Sequence, residues 1–215
     1  MLQSAWAELP TDCSTLKQAG HTGGALKAFA RLPVQFTIGL RWADHSEQQV
    51  PIRFAGSGAS RVVYASCDPA IPLAFKFAHS KYSVDDNQQE FHGSLALPSW
   101  LIVGVHGFCE IVIQGETASV LVISKMWRTL EELACPSDGV QDLLRYARAV
   151  LSTWRLLARV AADTDLACHD WNSGNLMVPD NAGDGQCVRL VDWAGTLPSG
   201  QGLERDCCTL ESTER

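Results

Sequence analysis

The chain has 215 residues, 46% of them hydrophobic, with 17 basic and 24 acidic side chains and a net charge of -7. That length and apolar content allow one domain or a closely packed pair of lobes around a sizeable core, while the acidic balance argues against a chain-wide nucleic-acid or anionic-membrane surface and still permits a local basic pocket. Eight scattered cysteines without a Cys-x-x-Cys pair exclude zinc-ligand spacing and read as reduced thiols of a cytoplasmic protein; no basic-then-apolar leader and no apolar run of membrane-spanning length is visible.

Residues 1–50 read as an N-terminal extension that packs on the remainder of the chain. Residues 14–31 have weak helical character interrupted by Gly20, Gly23 and Gly24, residues 34–42 read as a strand, and residues 43–49 as a polar loop. From Ile52 the character changes to short β-branched or aromatic runs bounded by turn residues such as Gly56, Gly58, Asp68 and Pro69, predicting strands over 52–55, 61–66 and 71–78. Residues 84–97 predict a short helix ended by Pro98, and strands follow over 100–105, 109–113 and 119–124.

The strongest periodicity comes next. Val140, Leu143, Leu144, Ala147, Leu151, Trp154, Ala158 and Ala161 recur at three- and four-residue steps, the apolar face of a long amphipathic helix. Pro136, Ser137 and Asp138 stand where a helix start wants them. After Asp163 the pattern stops, and the runs 176–178 and 188–191 suit a small hairpin. A five- or six-stranded β-lobe with one inserted helix, then a long helix, a polar loop and a hairpin, is α+β rather than alternating α/β.

Four segments carry chemistry. Gly56 and Gly58 lie between two predicted strands, where glycine lets backbone N–H groups approach phosphate oxygens. Lys76, in an apolar strand, can set one positive charge over a polyphosphate. Asp170 and Asn175 share one polar loop: a carboxylate able to orient a hydroxyl and accept its proton, and an amide oxygen able to ligate a hard cation. Asp192 leaves the second hairpin strand at a turn, well placed for magnesium. Each is an ordinary feature alone, a hairpin turn, a solvated lysine, a turn-rich loop, a strand-end acid; their order and spacing are what combine them. Gly56 precedes Lys76 by 20 positions, and Lys76 precedes Asp170 by 94.

Together these segments resemble the protein-kinase signature set over about residues 52–197. Gly56-Ser-Gly58-Ala-Ser-Arg-Val-Val63 is similar to the glycine-rich loop, Leu-Ala-Phe-Lys76 to the strand-lysine motif, His-Asp170-Trp-Asn-Ser-Gly-Asn175 to the catalytic loop, and Asp192-Trp-Ala to the metal-binding Asp-Phe-Gly motif. The resemblance implies a bilobal fold, with an antiparallel N-lobe over about 51–126, a partial helical C-lobe over about 127–197 and a polar tail over 198–215. It implies ATP and Mg2+ as ligands and a protein or small-molecule hydroxyl as acceptor. It assigns Lys76 to the α- and β-phosphates, Glu90 to a pair with Lys76 (Asp85 and Asp86 stand nearby as alternatives), Asp170 to the catalytic carboxylate, Asn175 and Asp192 to magnesium, and Val63, Ser124 and Met126 to the nucleotide, the last two as the hinge for adenine.

The chain also departs from that pattern. Arg61 replaces the third glycine, which should stiffen the loop, and Cys168-His169-Asp170 lacks the arginine that anchors a phosphorylated activation loop. Asn172 and Ala194 look as much like the aminoglycoside, choline and fructosamine kinase branch as like protein kinases. Only 23 residues follow Asp192, without an Ala-Pro-Glu-like motif or another amphipathic helix. The expectation is therefore an exposed apolar face in the large lobe, and either a fragment, a lobe completed by a partner subunit, or a nucleotide-binding module without turnover.

Overall fold

The computed structural model describes residues 1–10, 32–58, 61–79, 84–126, 128–134, 140–164, 166–168, 172–179, 188–193 and 196–198, with backbone alone for residues 79, 84–86, 166–168 and 196–198. The chain divides into two units, Met1–Trp127 and Arg128–Arg215. The fold class is α+β, as expected.

The first unit is a seven-stranded antiparallel sheet with one helix. Its strands are β1 (Leu2–Glu8), β2 (Gln35–Trp42), β3 (Glu47–Ser57), β4 (Arg61–Ser66), β5 (Leu73–His79), β6 (Val105–Ile113) and β7 (Glu116–Ser124), in the order β1-β2-β3-β4-β5-β7-β6. Helix α1 (Val84–Ala96) is inserted between β5 and β6. The edge strands β1 and β6 approach each other so closely that a Cβ added at Gly107 would lie 2.3 Å from Leu2 Cβ, and the sheet is nearly closed into a barrel. A backbone hydrogen bond from Ala5 reaches Cys109 across this seam, and burial there pushes the Cys109 thiol up to about 12.

Closure explains why residues 1–50, an extension by their sequence, supply two strands: β1 and β2 complete the sheet around one core. Side chains alternate along each strand. In β5, Phe75 and Phe77 point into the barrel core with Ile38, Leu40, Val62 and Val120. Tyr64 sits at the centre, edge-on to Phe36 at 5.0 Å and Phe77 at 5.4 Å, and its hydroxyl donates to the Pro33 carbonyl. The intervening Lys76 therefore faces the opposite side of the sheet, yet it is buried.

Two boundaries differ from the sequence reading. Residues 100–105 do not form a separate strand: Leu101, Ile102 and Val103 are buried in a connecting segment, so burial rather than pairing accounts for their apolar character. The loop expected at 43–49 is shorter, because β3 begins at Glu47. His45 takes the turn with φ 64.

In the second unit, β8 (Arg128–Thr129) runs into the four-residue helix α2 (Leu130–Leu133). A reciprocal cap starts that helix: Glu132 N–H donates to Thr129 Oγ1, and Thr129 N–H donates to Glu132 Oε2. Helix α3 spans Val140–Asp163. Then come β9 (Leu166–Cys168), a single 3-10 turn (Ser173–Asn175), β10 (Leu176–Val178), β11 (Arg189–Leu190) and β12 (Thr196–Pro198). Strand β10 pairs with β8 and β11, and β9 pairs with β12, all antiparallel. The hairpin expected from the runs at 176 and 188 is present, and Val188 N–H donates to Ser152 Oγ on α3. Residues 14–31, and the helix-start residues Pro136, Ser137 and Asp138, lie outside the described residues.

Helix α3 corrects one expectation. Its buried side chains are Asp142, Ala149, Leu156 and Val160, whereas Val140, Leu143, Leu144, Leu151 and Trp154 are exposed. The helix has apolar residues on two faces, and periodicity reports a stripe without telling which stripe a neighbour covers.

Candidate functional site

The residues singled out in the first unit converge on the outer face of β4 and β5. Lys76 pairs in register with Val63 of β4, and Arg61 with Ala78, so Arg61, Val63 and Lys76 lie on one face. Helix α1 covers this face. Asn87 fixes it there: its side-chain amide donates to the Lys76 carbonyl at 3.0 Å and to Ser119 Oγ at 3.0 Å. One turn on, Glu90 is fully buried, and Lys76 Nζ donates to both of its carboxylate oxygens at 2.8 and 2.7 Å. Asn87 Oδ1 is buried without a hydrogen-bond partner among the described residues.

Of the three acids that could pair with Lys76, Glu90 is the one the structure brings to it; the side chains of Asp85 and Asp86 lie outside the described residues. A second cation joins it. Arg61 Nη1 bonds Glu90 Oε1, and Arg61 is itself buried. Buried charges are tolerated only when paired and hydrogen-bonded, and this carboxylate serves two cations from neighbouring strands. Arg61 thus does more than replace a loop glycine: it ties β4 to α1.

The glycine hairpin is adjacent. Gly56 pairs with Val63 after a bulge that follows Phe54, and Gly58 N–H donates to the Arg61 carbonyl at 2.9 Å. A Cβ at Gly56 or Gly58 would meet nothing within 4 Å, and neither residue has a left-handed φ. Neither packing nor backbone conformation within the chain requires glycine at these two positions. Open space above two glycines, beside a buried lysine, suits an approaching anion of extended shape.

The expected hinge lies at the end of β7. Ser124 pairs with Leu73, its N–H donates to the Gly104 carbonyl, and its hydroxyl is 3.0 Å from His106 Nε2. Desolvation holds the pKa of His106 below its ordinary value. Lys125 N–H donates to the Pro72 carbonyl, and Lys125 Nζ to the Ser66 carbonyl. Ser124 and Met126 are half-buried, as is Val63.

In the second unit, Asn175 and Asp192 come together. Asn175 ends the 3-10 turn, capped by Asn172, whose side chain accepts from Asn175 N–H at 3.0 Å. Register Leu176↔Leu190 then places Asn175 opposite Val191, whose N–H donates to the Asn175 carbonyl at 2.8 Å. Asp192 follows directly, with φ 60, and Trp193 behind it is buried. Left-handed backbone at a non-glycine residue is uncommon, and such conformations cluster at functional positions. An amide oxygen and a carboxylate at one end of a hairpin fit magnesium, which takes one or two protein oxygens and completes its shell with phosphate and water. Among the described residues, no group of three His, Cys, Asp or Glu side chains is placed to hold a metal. Asp170 and His169 lie outside the described residues.

Sequence reasoning missed Asn87 and Asp142. Asp142 is buried on α3, 3.4 Å from Arg145 Nη1 and 3.8 Å from Arg128 Nη1. Neither belongs to a motif; each is a polar residue in a helix whose burial only the fold reveals. Among the described residues, no helix is long and apolar enough to cross a membrane. No model of a known protein family matches the chain, and no curated protein matches it either.

Proposed function

We propose that the chain is a protein-kinase-like phosphotransferase that binds Mg·ATP and moves its γ-phosphate to a protein or small-molecule hydroxyl. The observation that carries this reading is the buried Lys76–Glu90 pair, held on β5 and α1 beside a glycine hairpin whose Gly56 and Gly58 have open space above them. In this reading the two units correspond to a small and a large lobe of a bilobal fold.

Glu90 orients the Lys76 ammonium toward the α- and β-phosphates, and the backbone N–H groups around Gly56 and Gly58 face phosphate oxygens. Val63 and the 124–126 segment receive the base. Asn175 and Asp192 hold magnesium, which neutralises charge on the phosphates when bound. Asp170 accepts the acceptor's hydroxyl proton; as the new O–P bond forms, the bond from the γ-phosphorus to the β–γ bridging oxygen breaks, and ADP leaves with that electron pair.

A second reading is nucleotide binding without turnover. Arg61 favours it, because a carboxylate shared with Arg61 is held less exclusively for Lys76. Thermal melting with and without Mg·ATP tests both readings: a ligand at a hundredfold its Kd adds about 2.7 kcal/mol of stability, and no stabilisation in the wild type would sink both. Turnover separates them. The phosphotransferase reading expects ATP-dependent phosphorylation of a hydroxyl acceptor that Asp170→Ala abolishes; equal rates in the two proteins would remove Asp170 from the chemistry.

A further inference from the structure

The apolar stripe of α3 that the structure leaves in solvent has a regular spacing. Val140, Leu144, Ala147, Leu151, Trp154 and Ala158 succeed one another at steps of four, three, four, three and four residues, and all six are exposed. Val140 and Trp154 are 72% and 67% exposed, far beyond what a scattered surface apolar residue needs to explain it. Alternating three- and four-residue steps are the seam of a helix that packs lengthwise against another helix, knobs into holes. The helix does not need this seam for its own unit, since it buries the other face through Ala149, Leu156 and Val160.

Charge decides what the partner is. Arg148 and Arg155 stand seven residues apart along one edge of the seam, both exposed. Arg145 and Arg159 lie on the same side of the helix, half exposed, each near an acid of its own helix. The opposite edge is apolar, with Leu143, Val150 and Leu157. In a second copy packed antiparallel, the arginine edges would face each other and repel. Packed parallel, they would face the apolar edge and find no countercharge.

We infer that the exposed face of α3 docks an amphipathic helix of another protein, one with an apolar stripe of matching three-four spacing and acidic residues on the flank that meets Arg148 and Arg155. This rests on α3 alone and not on the nucleotide reading, so either can fail without the other.

The test uses the full chain and two labelled synthetic helical peptides with leucines on the seam, one flanked by glutamates and one by lysines. Anisotropy should show the glutamate peptide binding at least about tenfold more tightly than the lysine peptide, with the preference shrinking at high salt. Leu151→Asp, at an exposed position that leaves the circular dichroism unchanged, should abolish binding. The double variant Arg148→Glu, Arg155→Glu should reverse the preference toward the lysine peptide. Equal binding of both peptides, binding of neither, or binding that survives Leu151→Asp would overturn the proposal. So would sedimentation showing self-association that Leu151→Asp abolishes, because a second copy would then be the occupant.

Discussion

The Lys76 ammonium donates to both carboxylate oxygens of Glu90, at 2.8 and 2.7 Å, and both residues are buried. A lysine placed by strand alternation on the helix-covered face of β5 has no water to solvate it, and the helix brings the compensating acid. Removing that acid should be far more costly than removing an exposed ion pair. Glu90→Ala leaves two buried cations facing a void and should destabilise the chain by about 3–5 kcal/mol. Urea unfolding at neutral pH measures this. A loss below about 1 kcal/mol, the range of exposed pairs, would mean that the carboxylate is not buried as described.

Arg61 bonds the same carboxylate from β4, so its contribution should depend on Glu90. Arg61→Ala in the wild type should cost about 1.5–3 kcal/mol, the range for hydrogen bonds to charged groups. In a Glu90→Gln background the same change should cost much less, and the difference is the coupling energy of the pair. Strict additivity across the four proteins would show that Arg61 stabilises β4 through other contacts.

Asn87 should behave as a structural tie rather than a ligand. Its amide spans two strands, donating to the Lys76 carbonyl and to Ser119, and so sets the position of α1 from which Glu90 projects. Asn87→Ala should cost about 1–3 kcal/mol, because it strips buried acceptors of their donor. It should also weaken Mg·ATP binding indirectly, and Asn87→Ser should restore part of both. A full loss of nucleotide binding with unchanged stability would contradict the positioning role.

His106 makes an acid-sensitive contribution. Desolvation lowers its pKa from the ordinary 6.5, so the folded state favours the neutral ring. Below 6.5 the unfolded chain binds the proton more readily than the folded one, and stability rises with pH in that window. The stabilisation is therefore fully present above the ordinary pKa and lost as pH falls through the lowered one. Melting temperatures across this range should drop more steeply for the wild type than for His106→Gln. Parallel curves would show that other groups carry the acid response.

Which of these features the sequence makes legible depends on what each residue answers to. Lys76, Glu90, Asn175 and Asp192 sit in local patterns whose spacing the sequence displays, and the structure brings Lys76 to Glu90 and Asn175 to Asp192. Arg61 reads as a loop residue because a motif position says nothing of where a long side chain ends. Asn87 and Asp142 carry no pattern at all, since burial of a helical polar residue is decided by what packs on it. The same limit misassigns α3, whose stronger stripe faces solvent while a weaker one is buried. Strands β1 and β2 are hidden for another reason: barrel closure is a relation between distant edges, and neither edge announces it.

Asp192 offers the sharpest separation of function from stability. Its φ of 60 places it in the left-handed region, where asparagine is at least as well tolerated as aspartate. Asp192→Asn should therefore leave the melting temperature of the free protein within about 0.5 kcal/mol of wild type in stability terms. The same change removes the only charged oxygen of the Asn175–Asp192 pair, and with it the means of holding a hard cation. Melting with ATP alone and with Mg·ATP should then give equal shifts for the variant and different shifts for the wild type. If magnesium still adds to the shift in Asp192→Asn, the hairpin end is not the metal position, and the left-handed turn serves only to bury Trp193.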